Sequence, residues 1–188
     1  MTLLAYFKSL YPVDFALEMT LDRLTESRQY NKGDIIFEPN TYLKHIYFVE
    51  SGFTRVFYLM NNKDITHYFC EPATFSTGID SVFHGKSSLF GFQALSNSRV
   101  TLLPFGPIQV LAERNIVVNK MIQNVMLDSL ISFSNRFYHT QFQTAAERYK
   151  SLLVENPELL QNASLGHIAS YLGISQQTLS VIRGQIDY

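Results

Sequence analysis

The spacing of apolar residues along this chain changes twice. Up to about residue 30 it is helical: Leu17, Leu21 and Leu24 stand four and three apart, and Thr20 and Asp22 offer local caps. From Lys32 the rhythm shortens. Lys32-Gly33-Asp34 reads as a turn before the run Ile35-Ile36-Phe37, and Glu38-Pro39-Asn40 breaks it. The segment 45–50, rich in β-branched and aromatic residues, stops at Ser51-Gly52. Segments 53–60 and 64–69 flank the reversal Asn61-Asn62-Lys63, and Glu71-Pro72 ends the second. Segments 88–95 and 98–103 form a last pair around Ser96-Asn97. Short strands with turn signals roughly 8–12 residues apart predict a sandwich or barrel.

From Pro107, a first-turn residue, the pattern turns helical and stays so. Ile108, Leu111, Val118, Ile122, Val125 and Phe133 trace one stripe. Val117, Met121, Leu127, Leu130 and Ile131 cover much of the rest. A helix apolar on more than one face needs more than one packing surface. One face covers the strand-rich part, and the other is expected to meet the same helix of a second copy. A helix buried within a single chain is the alternative. Asn156-Pro157 breaks the next helical run.

The last quarter carries the strongest local pattern. Ser164 is placed to cap a helix whose inner face is Leu165, Ile168, Ala169 and Leu172. Ala169 is small where two crossing helices must approach. Gly173 supplies a sharp turn, Ile174 plugs the gap, and Ser175 caps a second helix with Leu179, Ile182 and Ile186 facing inward. The outer face is left with Gln176, Gln177, Ser180, Val181, Arg183 and Gly184. Glutamine pairs with adenine, arginine with guanine or phosphate, and Ser or Thr with either. The start of a recognition helix is the part that reaches base edges. The expected DNA readers are therefore Gln176, Gln177, Thr178, Ser180 and Arg183. A plain α-hairpin would not require the small alanine, the turn glycine and the plug together.

Composition adds limits. The 188 residues carry a net charge of −1, so no overall positive field announces nucleic acid. Residues 147–188 hold three cations (Arg148, Lys150, Arg183) against four acids (Glu147, Glu155, Glu158, Asp187). One such unit should bind DNA weakly, since phosphate contacts dominate non-specific affinity. Two units on a dimer, engaging half-sites about one helical turn apart, would supply the rest. The single cysteine, Cys70, excludes an intrachain disulfide and reads as a small semi-buried hydrophobe, with thiol sensing as the alternative. The N-terminus has no signal-peptide pattern and no stretch is long enough to span a membrane, so a cytoplasmic protein is expected. The histidines His45, His67, His84, His139 and His167 form neither HxH nor HExxH, and there is no phosphate loop or nucleophile elbow. An enzyme is not expected.

The segment Ile168 to Ser180 resembles the helix-turn-helix of bacterial CRP/FNR-type regulators. Glu147-Arg148-Tyr149 and Glu155-Asn156-Pro157-Glu158-Leu159 are similar to the helix and break that precede it. Lys32 to Phe37 and Tyr47 to Val56 are similar to the opening strands of that family's cyclic-nucleotide-binding β-roll. The resemblance implies an α+β fold. A jelly-roll-like β-roll, a double-stranded β-helix with an N-terminal helix, would occupy 1–106. A dimerisation helix would occupy 107–139 and a helix-turn-helix domain 140–188, in the short form without a C-terminal wing. It implies a homodimeric transcription regulator with double-stranded DNA, its own second copy and RNA polymerase as partners.

The resemblance also places a nucleotide cassette at Phe75-Ser76-Thr77-Gly78-Ile79-Asp80 and Lys86-Ser87-Ser88. The family uses Gly-Glu for the ribose and Arg-Ser or Arg-Thr for the cyclic phosphate. Here Ile79 follows Gly78, and no arginine lies between Arg55 and Arg99. A buried phosphate needs such a cation or equivalent donors. The matching ligand positions are Thr77, Gly78, Lys86, Ser87 and Ser88, but Lys86 reads as a solvated loop lysine. No cofactor is assigned. Three states of the pocket stay open: empty, holding another small-molecule effector, or filled by Phe75, Phe83, Phe90 and Phe92. Two functional alternatives stay open as well: a cAMP- or cGMP-responsive regulator, and an interaction protein whose helix-turn-helix no longer binds DNA.

Overall fold

A computed structural model describes residues 1–185, so the inward position read at Ile186 lies outside the described residues. In chain order the elements are α1 (Leu3–Leu10), α2 (Phe15–Leu24), β1 (Glu26–Tyr30), β2 (Ile35–Phe37), β3 (His45–Ser51), β4 (Thr54–Met60), β5 (Lys63–Cys70), β6 (Phe75–Ser76) and α3 (Ile79–His84). Then come β7 (Gly91–Ala94), β8 (Ser98–Pro104), α4 (Phe105–Arg114), α5 (Ile116–Phe142), α6 (Ala145–Glu155), α7 (Pro157–Asn162), α8 (Leu165–Leu172) and α9 (Gln176–Gln185).

The strands form two four-stranded sheets, ordered β1-β8-β3-β6 and β2-β7-β4-β5, with antiparallel pairing throughout. Alternation along β3 shows how they close on each other. Tyr47 and Val49 point between the sheets, into a core with Phe37, Val56, Cys70, Phe92, Val100 and Leu102. Phe48 points the other way, into a second core with Leu3, Phe7, Leu17, Leu21, Leu103, Ile108, Val118 and Met121. The helices α1, α2, α4 and the start of α5 therefore cover the outer face of one sheet. This is an α+β architecture with a β-roll, as expected.

Four local expectations are corrected. The helical reading to residue 30 fails after Leu24, because Glu26 to Tyr30 pair along β8 as an edge strand. The helix caps there are Thr2 and Asp14, not Thr20 and Asp22. The segments around Ser96-Asn97 are not a hairpin: β7 lies in one sheet and β8 in the other, and the chain crosses between sheets there. Gly52 (φ +83) makes room for this crossing, since a Cβ at that position would collide with the Ser98 hydroxyl and backbone. The helical run from Pro107 is two helices. Asn115 (φ −133) stops α4, and its side-chain oxygen accepts from Val117 N at 2.9 Å and Val118 N at 3.3 Å, starting α5 anew. α5 runs on to Phe142.

Other turns follow their residues. Asn61 and Asn62 take φ of +51 and +59 between the paired Met60 and Lys63, a two-residue hairpin of the kind asparagine tolerates. Thr144 and Glu147 form a reciprocal capping box at the start of α6, and Pro157 opens α7.

Candidate nucleic-acid interface and sensor site

The C-terminal helices have the geometry the sequence predicts. The Ser164 hydroxyl accepts from His167 N at 3.1 Å and starts α8. Gly173 ends it in the left-handed region (φ +69), and Ser175 starts α9 by accepting from Thr178 N at 3.0 Å. Ile168, Ala169, Leu172, Leu179 and Ile182 are buried in one core with Tyr149, Leu152 and Leu159, and Ile174 packs against it. Leu165 departs from the expected inner face: it is 40% exposed at the first turn of α8.

Of the expected DNA readers, Gln176, Gln177, Thr178 and Ser180 stand exposed, as does Val181 beside them, and Arg183 is half-buried. The Thr178 hydroxyl is engaged with Ser175 Oγ at 2.9 Å. The Gln176 amide lies back over α8, where a Cβ on Gly166 would come within 2.9 Å of its nitrogen.

α8 is docked on the β-roll. Thr66 N donates to Ser170 Oγ at 3.1 Å, and the Phe69 and Tyr171 rings lie 5.1 Å apart. Phe53, Phe69 and Leu95 of the roll join the helical core. Beneath them Arg55 is buried, with its guanidinium on both Asp64 carboxylate oxygens at 2.5 Å, on Gln93 at 2.8 Å and on Thr66 at 3.1 Å. His167 sits beside this network, its Nδ1 buried without a partner. Burial, then the nearby Arg55 charge, holds its pKa below the usual value. Arg148 ties the unit to α5: it donates to Gln143 O at 2.6 Å and to Leu172 O at 2.8 Å, the ends of α5 and α8.

The cassette positions are only partly together. Gly78 and Ser88 are packed face to face, and a Cβ on Gly78 would lie 2.6 Å from Ser88 Oγ. Ser88 Oγ is spent on Phe90, donating to its carbonyl and accepting from its amide at 3.1 Å. Thr77 Oγ1 donates to His45 O at 2.9 Å. Lys86 and Ser87 lie exposed on the loop after α3. Of the four aromatics that a filled roll would use, Phe92 is fully buried between the sheets and Phe90 packs at its edge. Phe75 instead stacks outside with Phe7 and Phe48, and Phe83 is 41% exposed against Phe105. The interior is completed by Phe37 and Tyr47, whose rings lie 4.9 Å apart. Cys70 is buried, and its thiol is pushed up to about 12 by that burial.

The sequence reading missed three arginines: Arg55, Arg136 and Arg148. Arg136 had a usable signal. It continues the inward register of Val118 and Val125 on α5, and it ends over the Tyr68 ring at 4.3 Å. The opposite side of α5 carries Leu127, Leu130, Ile131 and Tyr138, all more than half exposed in the protomer. No helix among the described residues is long and apolar enough to cross a membrane.

Residues 27–115 match the family model "Cyclic nucleotide-binding domain". Similar solved structures include FixK2 from Bradyrhizobium japonicum, at 19% identity and TM-score 0.73 over 86% of this chain and 83% of that one. A putative transcriptional regulator of the CRP/FNR family from Eubacterium rectale is 16% identical, with TM-score 0.75 over 96% and 87%. The catabolite activator protein of Thermus thermophilus is 19% identical, with TM-score 0.57 over 96% and 85%. No curated protein sequence matches the chain significantly.

Proposed function

We propose that this chain, whose residues 27–115 belong to the cyclic nucleotide-binding domain family and whose fold is that of CRP/FNR-type regulators, is a DNA-binding transcription regulator that acts as a homodimer. Its place is the cytoplasm, where its DNA is, with RNA polymerase as a further partner. The observation that carries the reading is the turn from α8 to α9: two capping serines, a left-handed Gly173 and a buried Leu179–Ile182 seam leave the other side of α9 exposed.

Gln176, Gln177, Thr178, Ser180 and Arg183 are the proposed readers; the first four are exposed and Arg183 is half-buried. The second copy comes through the apolar side of α5, with 1–106 as the sensor roll, 107–139 as the dimerisation segment and 140–188 as the DNA-binding part. Ser88 Oγ is already engaged with Phe90, and Lys86, the cassette's one cation, lies exposed, which supports a roll that does not hold a cyclic nucleotide in the family's usual way.

The test is binding to random-sequence duplex DNA across a salt series. Affinity should fall steeply with salt, and a selected site should carry two half-sites about one helical turn apart. A salt slope near zero would favour the interaction-protein reading. A saturable thermal shift with cAMP or cGMP would restore the cyclic-nucleotide reading.

A further inference from the structure

Leu179 and Ile182 of α9 are buried in the helical core, and their burial fixes which line of that helix faces away. At about 3.6 residues per turn, the side opposite them is centred on Gln177, Val181 and Gly184, with Ser180 alongside. All four are exposed.

Two members of this line have no role inside the protein. Val181 is 60% exposed, and no hydrophobic cluster among the described residues includes it. Gly184 stays out of the left-handed region, and a Cβ on it would meet nothing. Neither a turn nor a close internal neighbour calls for glycine there, although glycine weakens a helix relative to alanine. Residues 164–185 contain no Asp or Glu to repel a phosphate. Their one guanidinium, Arg183, is half-buried and stands two residues past Val181, off the line.

The chemistry of this line is selective. Glutamine pairs in bidentate fashion with adenine, and an apolar side chain packs on the C5 methyl that only thymine carries. Guanine is read by Arg or Lys, and the line has neither. The bare backbone at Gly184 lets the helix lie close to its target. We infer that the half-site beneath α9 is built of A·T pairs, with Gln177 on an adenine, the Val181 methyl groups on a thymine methyl, and Arg183 on phosphate. Val181 is thus a specificity-determining residue outside the polar set of readers. This rests on the DNA-binding reading above and adds the identity of the bases to it.

The test begins with selection of binding sites by the full chain from a random duplex library. Deoxyuridine then replaces each thymine of the selected half-sites in turn, which removes the methyl and keeps the Watson–Crick pairing. At one position per half-site the exchange weakens binding about fourfold, the weight of one methyl taken from water, and in both half-sites together roughly fifteenfold. Val181→Ala, at an exposed helix position that alanine suits, binds the thymine duplex more weakly and no longer tells it from the uracil duplex. Gln177→Ala keeps the thymine–uracil difference and relaxes the preference for adenine. Half-sites selected on G·C pairs overturn the inference. So does a protein indifferent to uracil at every position, or a V181A variant that keeps the full thymine–uracil difference. In each of these cases salt-dependent DNA binding persists and the DNA reading stands; its absence would end both.

Discussion

Truncating the exposed side of α5 should take the dimer apart without harming the protomer. Leu130 and Ile131 are 63% and 57% exposed, one turn from Leu127 and two from Tyr138. Leu130→Ala and Ile131→Ala together remove about three carbons from each side chain, at roughly 0.8 kcal/mol per carbon buried. About six-tenths of that is free for a partner to cover, which leaves roughly 1.4 kcal/mol per side chain. A two-fold interface counts each residue twice. The double variant should therefore lose about 6 kcal/mol of association, a rise in dimer Kd of about four powers of ten. Sedimentation equilibrium reads this directly, and far-ultraviolet circular dichroism at low concentration should show the protomer as helical as before. Alanine is a good helix former, so α5 itself does not suffer. An unaltered protein that is monomeric at about 100 µM would refute the reasoning, and so would a double variant with an unchanged Kd. Loss of tight DNA binding should accompany loss of the dimer.

Gly78→Ala should destabilise the roll by about 1–3 kcal/mol, because its Cβ meets Ser88 Cβ at 2.7 Å as well as the hydroxyl; adding Ser88→Gly should recover part of the loss, and a neutral G78A would show the contact to be slack. His67 and His167 both have lowered pKa through burial. The folded state binds their protons later than the unfolded chain, so stability is full above the ordinary histidine pKa near 6.5 and declines below it. Tm should fall between pH 7 and pH 5.5, and less so in His67→Gln/His167→Gln; equal slopes would contradict this. Cys70, with its thiol pushed up to about 12, should resist a thiol reagent at pH 8 until the protein unfolds. Rapid labelling of the native state would reopen thiol sensing.

What the sequence made legible was whatever local chemistry decides. Gly173, Ser164 and Ser175 announce their turn and caps because those roles are confined to a few residue types. The Asn61-Asn62 hairpin is legible for the same reason. β1 was hidden because Glu26-Ser27-Arg28-Gln29-Tyr30 is nearly all exposed and shows no alternation; only its partner β8 makes it a strand. The separation of β7 from β8 depends on which sheet each joins, a long-range choice with no local mark. Asn115 was overlooked because the apolar stripe continues on both sides of it, and a cap inside such a stripe does not interrupt the count. In the candidate site, the outer face of α9 was readable from spacing. The approach of the Gln176 amide to Gly166 was not, since it depends on the missing side chain ten residues earlier.

Arg148 sets the mechanical character of the molecule. One guanidinium grips the last turn of α5 and the last turn of α8 at once. Any swing of the C-terminal helices about the Gln143–Thr144 joint that parts those ends must let go of one carbonyl before it gains anything elsewhere. Each such bond from a charged donor contributes about 1.5–3 kcal/mol. The docking of Ser170 on Thr66 and of Tyr171 on Phe69 adds to that resistance. One side chain on α6 thus braces the joint between the long helix and the helices that follow it.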